Sequence, residues 1–210
     1  IFLETTEWIS EKISKWHGSW RSVFCKRIFI VGFSGASQIR ERSTDEWIWI
    51  QRLDWHTLKK TPNKIWAIHG DYDEEYNPYP LDELGLSVFD NENGWINKPY
   101  DELLGAKSLS DIAFNPARPN QVYVTSYFSG MLKFQDDTVE LLNNTNTGPN
   151  GLESLVLSGN PSYVDVRINS PAFDRQGNLW VTNGFVNRAI KVLRANGQWQ
   201  SYDLSGITAN

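Results

Sequence analysis

The side chains that most often do chemistry are few in this chain and badly placed for it. His17, His56 and His69 are the only histidines, and none is spaced with another, or with a carboxylate, as metal ligands usually are. Asp71, Asp73, Glu74 and Glu75 form an acidic run whose oxygens could hold calcium. The run lacks the ligand spacing and the glycine of an EF-hand loop, so a solvated loop is the expectation. Asp90-Asn91-Glu92-Asn93-Gly94 has a similar look but fits a hairpin turn. Phe29 to Phe33 is an apolar strand running into Gly32-Phe33-Ser34-Gly35-Ala36, which resembles the strand-to-helix turn that exposes a nucleophilic serine. Its final glycine is missing, and too little chain surrounds it for the sheet such a serine needs. Gly32 to Ser37 also lacks the lysine of a phosphate-binding loop. The expectation is therefore no catalytic residue, no metal and no cofactor.

The elements that carry these residues are those of a packed protein. Of 210 residues, 40% are apolar and 21% charged, which argues against disorder along the whole length. No uninterrupted apolar stretch approaches the roughly 20 residues that cross a bilayer. The net charge of −5, with no stripe of Lys and Arg, argues against nucleic acid as a partner. Cys25, the single cysteine, leaves no internal disulfide. A chain that starts at Ile1 with neither methionine nor leader reads as a piece of something longer.

Composition shifts near position 60. Asn, Pro and Tyr, 35 residues in all, are absent from residues 1–60, which hold six of the ten Trp. Ten basic and seven acidic residues give that stretch +3, against −8 for the remainder. Residues 1–56 are thus expected to be either a degenerate unit of the downstream fold or sequence foreign to it. Ile9, Ile13, Trp16 and Trp20 mark one helical face there, ending near Gly18.

Downstream, the chain repeats. Trp66, Tyr123 and Trp180 occupy equivalent places in Asn63 to His69, Asn120 to Ser126 and Gly177 to Asn183, and are 57 residues apart. Around each anchor the pattern reads as four short strands, A to D. Turns fall at Asn115-Pro116, Arg175-Gln176-Gly177, Asp90 to Gly94, Gln135-Asp136-Asp137 and Asn196-Gly197, the last suited to a two-residue hairpin turn. Four-stranded antiparallel units at constant spacing are propeller blades. The expected fold is all-β: a partial β-propeller of about three blades at 57–100, 108–143 and 170–204, with strand A of the first at Leu53 to Leu58. The three anchors are expected to fill the space between adjacent blade sheets. Three blades do not close a ring, which takes about four to eight.

Phe173-Asp174-Arg175-Gln176-Gly177-Asn178-Leu179-Trp180-Val181-Thr182-Asn183 resembles the repeat of two-component-regulator propellers. Residues from about 61 to 210 are further similar to the propeller region of PorZ-type proteins, surface components of the Bacteroidota type IX secretion system. That similarity rests on Trp66 with Gly70-Asp71-Tyr72 and Asn77-Pro78-Tyr79-Pro80-Leu81, on Thr125 to Leu132, on Asp165-Val166-Arg167-Ile168, and on Lys191-Val192-Leu193 with Trp199 to Leu204. Residues 1–56 match nothing in it. The resemblance implies an exported protein of the periplasm, outer membrane or cell surface. It would be a binding component without catalysis, acting with secretion-system proteins such as the sortase to deliver anionic lipopolysaccharide to cargo, so a glycan or lipopolysaccharide is a candidate ligand. The alternative is the periplasmic ligand-sensing propeller of a hybrid two-component regulator. A propeller enzyme would need converging acidic or histidine ligands on the central axis, and the sequence offers no such set.

In a four-stranded meander, B–C loops and blade-to-blade connections emerge on one face of the disc. Here the first B–C loop, Gly70 to Gly85, and the connection Asn143 to Ser170 are long, while the other face carries tight turns. Long loops on a rigid scaffold are where binding tends to reside, so Asp71, Tyr72, Tyr76, Tyr79, Tyr163 and Arg167 are expected to border a recognition face. Gly-Ser linkers in place of both loops are expected to abolish binding and leave thermal stability nearly intact.

Overall fold

The computed structural model describes residues 57–207 other than 62, 71, 74 and 91, and the backbone of 21–25, 28–33, 36–43, 46–50 and 55–56. It divides into two units, residues 1–54 and 55–210.

In the first unit, β1 (Arg21–Cys25), β2 (Ile28–Phe33), β3 (Ala36–Ser43) and β4 (Glu46–Ile50) pair in the order β1-β2-β3-β4, all antiparallel. That is the strand order of a blade. The segment therefore has the local topology of the repeat it fails to match in sequence. Phe33 at the end of β2 pairs with Ala36 at the start of β3, so this stretch is a strand-to-strand hairpin, and the strand-to-helix geometry of a nucleophile elbow does not form. The helical face Ile9 to Trp20 lies outside the described residues, as do His17 and the side chain of His56.

The second unit is three four-stranded antiparallel meanders. They are β5 (Trp55–Lys60) to β8 (Gly94–Lys98) with β6 (Lys64–His69) and β7 (Leu86–Asp90), then β9 (Leu109–Phe114) to β12 (Thr138–Leu142) with β10 (Gln121–Ser126) and β11 (Gly130–Gln135), and finally β13 (Ile168–Phe173) to β16 (Trp199–Tyr202) with β14 (Leu179–Asn183) and β15 (Ile190–Leu193). Strand A of the first blade starts two residues later than expected, and a bulge at His56 interrupts its pairing. One 3-10 helix, Tyr100–Leu103, which the sequence pattern does not show, links the first two blades.

The burial of each strand follows its place in the stack. A strand covered on both faces reads as a continuous apolar run; in β10 every residue is buried, and in β6 all but the two end residues are. The outer strands β8 and β12 are half-buried or exposed at every residue but Leu142. Blades one and two close over Ile68, Leu86, Val88, Leu109, Ile112, Val124 and Leu132; Trp66 stands edge-on to Phe134 at 5.4 Å. Blades two and three close over Met131, Leu152, Val166, Ile168, Leu179 and Val181, with Tyr123 tilted against Phe173 at 5.9 Å. Each such aliphatic side chain stabilises the stack by about 1.5–3 kcal/mol. The first strands also bond blade to blade: Thr57 Oγ1 donates to the Ser110 carbonyl at 2.9 Å, and Ser110 Oγ to the Ile168 carbonyl at 3.0 Å.

Two details depart from the sequence reading. Trp180 has the expected strand position, but it is half-buried on the far side of its blade. There it stacks on Tyr202 at 5.9 Å and donates Nε1 to Asp174 Oδ2 at 2.8 Å; among the described residues no further sheet covers that side. The turn after β15 spans Arg194 to Gln198 rather than two residues: Gly197 N donates to the Arg194 carbonyl at 2.8 Å, and positive φ falls at Gly197 (86°) and not at Asn196.

The turn at Asp174 gives a titration that checks this geometry. Its carboxylate accepts Trp180 Nε1, Asn178 Nδ2 and the amides of Asn178 and Gln176, each at 2.8–2.9 Å. These bonds, Trp180's foremost, hold its pKa down to about 2. The shift is downwards, so the stabilisation is present above the unfolded value of about 3.9 and is lost as pH falls towards the folded one. Carboxyl 13C NMR is expected to show Asp174 titrating near pH 2 in the native protein, and nearer about 3–4 in Trp180→Phe.

Candidate functional site

The loop from Gly70 to Gly85 is organised by Asp73. Its Oδ1 accepts the amides of Glu75 and Asn77, each at 2.9 Å, and its backbone bonds across to Asn77. Asp73 thus serves the turn of the acidic run, and the turn throws Tyr76 outward on a left-handed backbone (φ 60°). Gly70 starts the loop at φ 99°, where a Cβ would lie 2.9 Å from Asp82 Cβ, so only glycine fits. Asp82 N donates to Ser108 Oγ at 3.2 Å and the Asp82 carbonyl accepts the Ser108 amide at 2.9 Å, which pins the loop's return to the second blade.

The connection between blades two and three runs from Asn143 to Arg167, because β13 begins at Ile168 rather than Ser170. Pro171 can donate nothing to its partner strand, and the register shifts there, between Asn169 and Ala172. The connection is no mere surface excursion. Leu152 and Val166 are core residues, and Glu153 reaches Arg188 at 2.9 Å and also pairs with Lys191. A Gly-Ser linker in its place would remove part of the core, contrary to the sequence expectation of unchanged stability.

Five of the six residues expected on the recognition face meet in one aromatic cluster; Asp71 lies outside the described residues. Tyr72 is stacked by Tyr76 at 5.2 Å and faces Tyr127 at 4.6 Å, and its hydroxyl accepts Asn169 Nδ2 at 2.7 Å. Arg167 lies over Tyr127 at 5.6 Å and over Phe185 at 4.8 Å. Its Nε and Nη2 donate to the carboxylate of Asp165, which is 0% exposed, at 2.9–3.1 Å. Tyr163 donates to the same carboxylate at 3.1 Å and accepts the Tyr79 hydroxyl at 2.5 Å. Phe128 stands edge-on to both Tyr79 and Tyr163.

Sequence reasoning missed Tyr127, Phe128, Asp165, Asn169 and Phe185. Phe185 lies in a short B–C loop, and ranking loops by length passes it over. A signal was available in Asp165-Val166-Arg167, where residues two apart in extended chain share a face.

The electrostatics follow from this packing. Burial pushes the Tyr163 hydroxyl well up, and the Tyr79 bond and the Asp165 charge add to it; Tyr127 is raised by burial. Both are neutral phenols at any physiological pH. Burial works against the charge of Arg167, but Asp165 outweighs it and holds the guanidinium cationic. The ion pair is internally neutral, and among the described residues Nη1 of Arg167 has no hydrogen-bond partner. The surface thus offers ring faces, one spare cationic donor and phenol oxygens. Its two most exposed rings, Tyr76 (59%) and Phe185 (72%), both sit at φ near +60°, a conformation that costs a bulky side chain on the order of 1 kcal/mol.

Among the described residues, the contact between His69 and Ser87 is oriented against nucleophilic chemistry. Ser87 Oγ donates to Asn97 Oδ1 at 2.7 Å, so His69 Nε2, 2.8 Å away, donates to the serine rather than taking its proton.

No protein-family model matches the chain, and no curated protein does. Among solved structures it is similar to PorZ, an essential bacterial surface component of the type IX secretion system of Porphyromonas gingivalis: 16% identity, 85% of this chain and 24% of that one, TM-score 0.58. It is also similar to the extracellular domain of the putative hybrid two-component system BT4673 from B. thetaiotaomicron: 15% identity, 87% of this chain and 22% of that one, TM-score 0.53. The chain spans less than a quarter of the length of either. At such identity the likeness establishes the fold, a β-propeller, here in part. No helix among the described residues is long and apolar enough to cross a membrane.

Proposed function

We propose that the chain is part of a non-catalytic binding propeller of an exported protein of the periplasm or cell surface, and that the Tyr72–Tyr76–Tyr127–Arg167–Phe185 face is where it binds. The observation that carries this reading is the pair of exposed rings on left-handed backbone either side of Arg167. Glycine would relax both positions, and backbone strain of this kind concentrates at functional sites. Ring faces beside a fixed guanidinium suit a sugar carrying an anionic group. On this reading the ligand is the glycan of an anionic lipopolysaccharide, engaged together with secretion-system proteins such as the sortase. A ligand-sensing propeller of a hybrid two-component regulator is the second reading, supported by the similarity to the BT4673 extracellular domain.

Tyr76 and Phe185 are exposed, so their removal separates binding from folding. In the protein carrying its complete propeller, Tyr76→Ser with Phe185→Ser is expected to weaken binding to immobilised anionic Bacteroidota lipopolysaccharide at least about tenfold, with the thermal midpoint within about 2 °C of the parent. Unchanged binding overturns the assignment of the face. Binding of soluble oligosaccharides but not of lipopolysaccharide favours the sensor.

A further inference from the structure

At the other ends of the same strands, where the A–B and C–D turns lie, blades one and two part to form a cleft of about 910 Å³. Its floor is aromatic, from Trp66, Phe114 and Phe134. The two walls differ in sign. The first blade contributes Lys60, Lys64 and Lys98, while the second contributes Asp136 and Asp137. Lys60, Lys64 and Asp137 make no ion pair among the described residues, and Lys98 lies 6.0 Å over the Phe134 ring. Two further carboxylates line the cleft. Asp90 is taken up by the side chain and amide of Asn93 and by the Glu92 amide, and Glu102 is exposed on the 3-10 helix. Asp136 likewise accepts Asn120 Nδ2 at 3.0 Å and Gln135 Nε2 at 2.8 Å, which leaves Asp137 as the freer carboxylate of the second wall.

We propose that this cleft binds a short peptide with both terminal charges free and an apolar or aromatic side chain between them. An anion would meet Asp136 and Asp137, a cation would meet the lysines, and a neutral apolar molecule would strip water from both walls without replacing it. A zwitterion with an apolar body satisfies all three surfaces. Sites for drug-sized ligands run to about 300–1,000 Å³, so the space suits several residues rather than one amino acid. The proposal concerns the opposite face from the aromatic cluster and stands independently of the function proposed for it.

The probe is the tripeptide Ala-Phe-Ala, titrated by calorimetry against the parent protein, with its N-acetylated and C-amidated forms. Saturable binding of the free tripeptide is expected, with each capped form about tenfold weaker. Asp137→Asn is expected to weaken the free and amidated peptides and leave the acetylated one unchanged; Lys64→Gln weakens the free and acetylated peptides and spares the amidated one. Both side chains are exposed, so a thermal midpoint equal to the parent's verifies folding. Tyr76→Ser with Phe185→Ser is expected to leave tripeptide binding intact. The proposal is overturned by no saturable binding up to about 10 mM, by equal affinity for the three peptides, or by loss of binding in the aromatic-face variant.

Discussion

Asp165→Ala is expected to lower the thermal midpoint by roughly 6–12 °C. The Asp165 carboxylate is fully buried and accepts three contacts from Arg167 and one from the Tyr163 hydroxyl. Removing one member of a buried pair leaves the other charge uncompensated, at a cost of about 3–5 kcal/mol. The low end applies here because Arg167 is 12% exposed. For a domain of this size each kcal/mol moves the midpoint by about 2–4 °C. Replacing both members with apolar groups, Asp165→Leu with Arg167→Met, removes the stranded charge and is expected to restore more than half of the loss. Scanning calorimetry decides: a fall of less than about 2 °C in Asp165→Ala would mean that the pair does not organise the face.

Glu153→Ala is expected to be comparably costly, for a related reason in a different place. Lys191 is fully buried, and Glu153 is the carboxylate that meets it while also holding Arg188. Asn183 clamps the backbone of Glu153 from both sides, accepting its amide at 2.7 Å and donating to its carbonyl at 3.0 Å. Losing the carboxylate strands a buried ammonium, a loss of about 3 kcal/mol. Lys191→Met removes the buried charge itself and leaves Glu153 with Arg188, so it is expected to change stability by less than about 1 kcal/mol. The same pair predicts an acid limb. Burial alone would raise the Glu153 carboxyl, but the bonds from Arg188 and Lys191 outweigh it and hold the pKa below the usual range. Its stabilisation is present above the unfolded value of about 4.3 and is lost as pH falls through the folded one. Chemical denaturation between about pH 5 and 3 is expected to show a shallower decline in Glu153→Gln than in the parent; identical slopes would contradict the pairing.

The repeat made the fold legible. A large ring at every fifty-seventh position marks the second strand of a blade, and strands packed between neighbouring sheets must be apolar on both faces, as β6 and β10 are. The aromatic cluster was legible as a place, because meander topology sends B–C loops and blade connections to one side. Its composition was less so. Tyr72 meets Asn169 because of how blades stack, and no sequence spacing encodes that; Arg167 meets Phe185 through the pairing of β13 with β14 inside the third blade, where the Gly184 amide donates to the Arg167 carbonyl. The anchoring of the Asn143–Arg167 connection was hidden for the same reason: Glu153 and Lys191 become partners only once the third blade is built. Residues 1–56, expected to be either a degenerate unit of the fold or sequence foreign to it, contain the meander β1 to β4 without sharing the repeat's anchors.

The central claim is that ligand contacts the aromatic face, and side-chain NMR of Arg167, Tyr76 and Phe185 during titration with the lipopolysaccharide glycan tests it most directly. The Arg167 Nη resonances and both rings are expected to shift together while Trp180, stacked on Tyr202 on the far side of its blade, stays still. Saturable binding with these three side chains unmoved would contradict it.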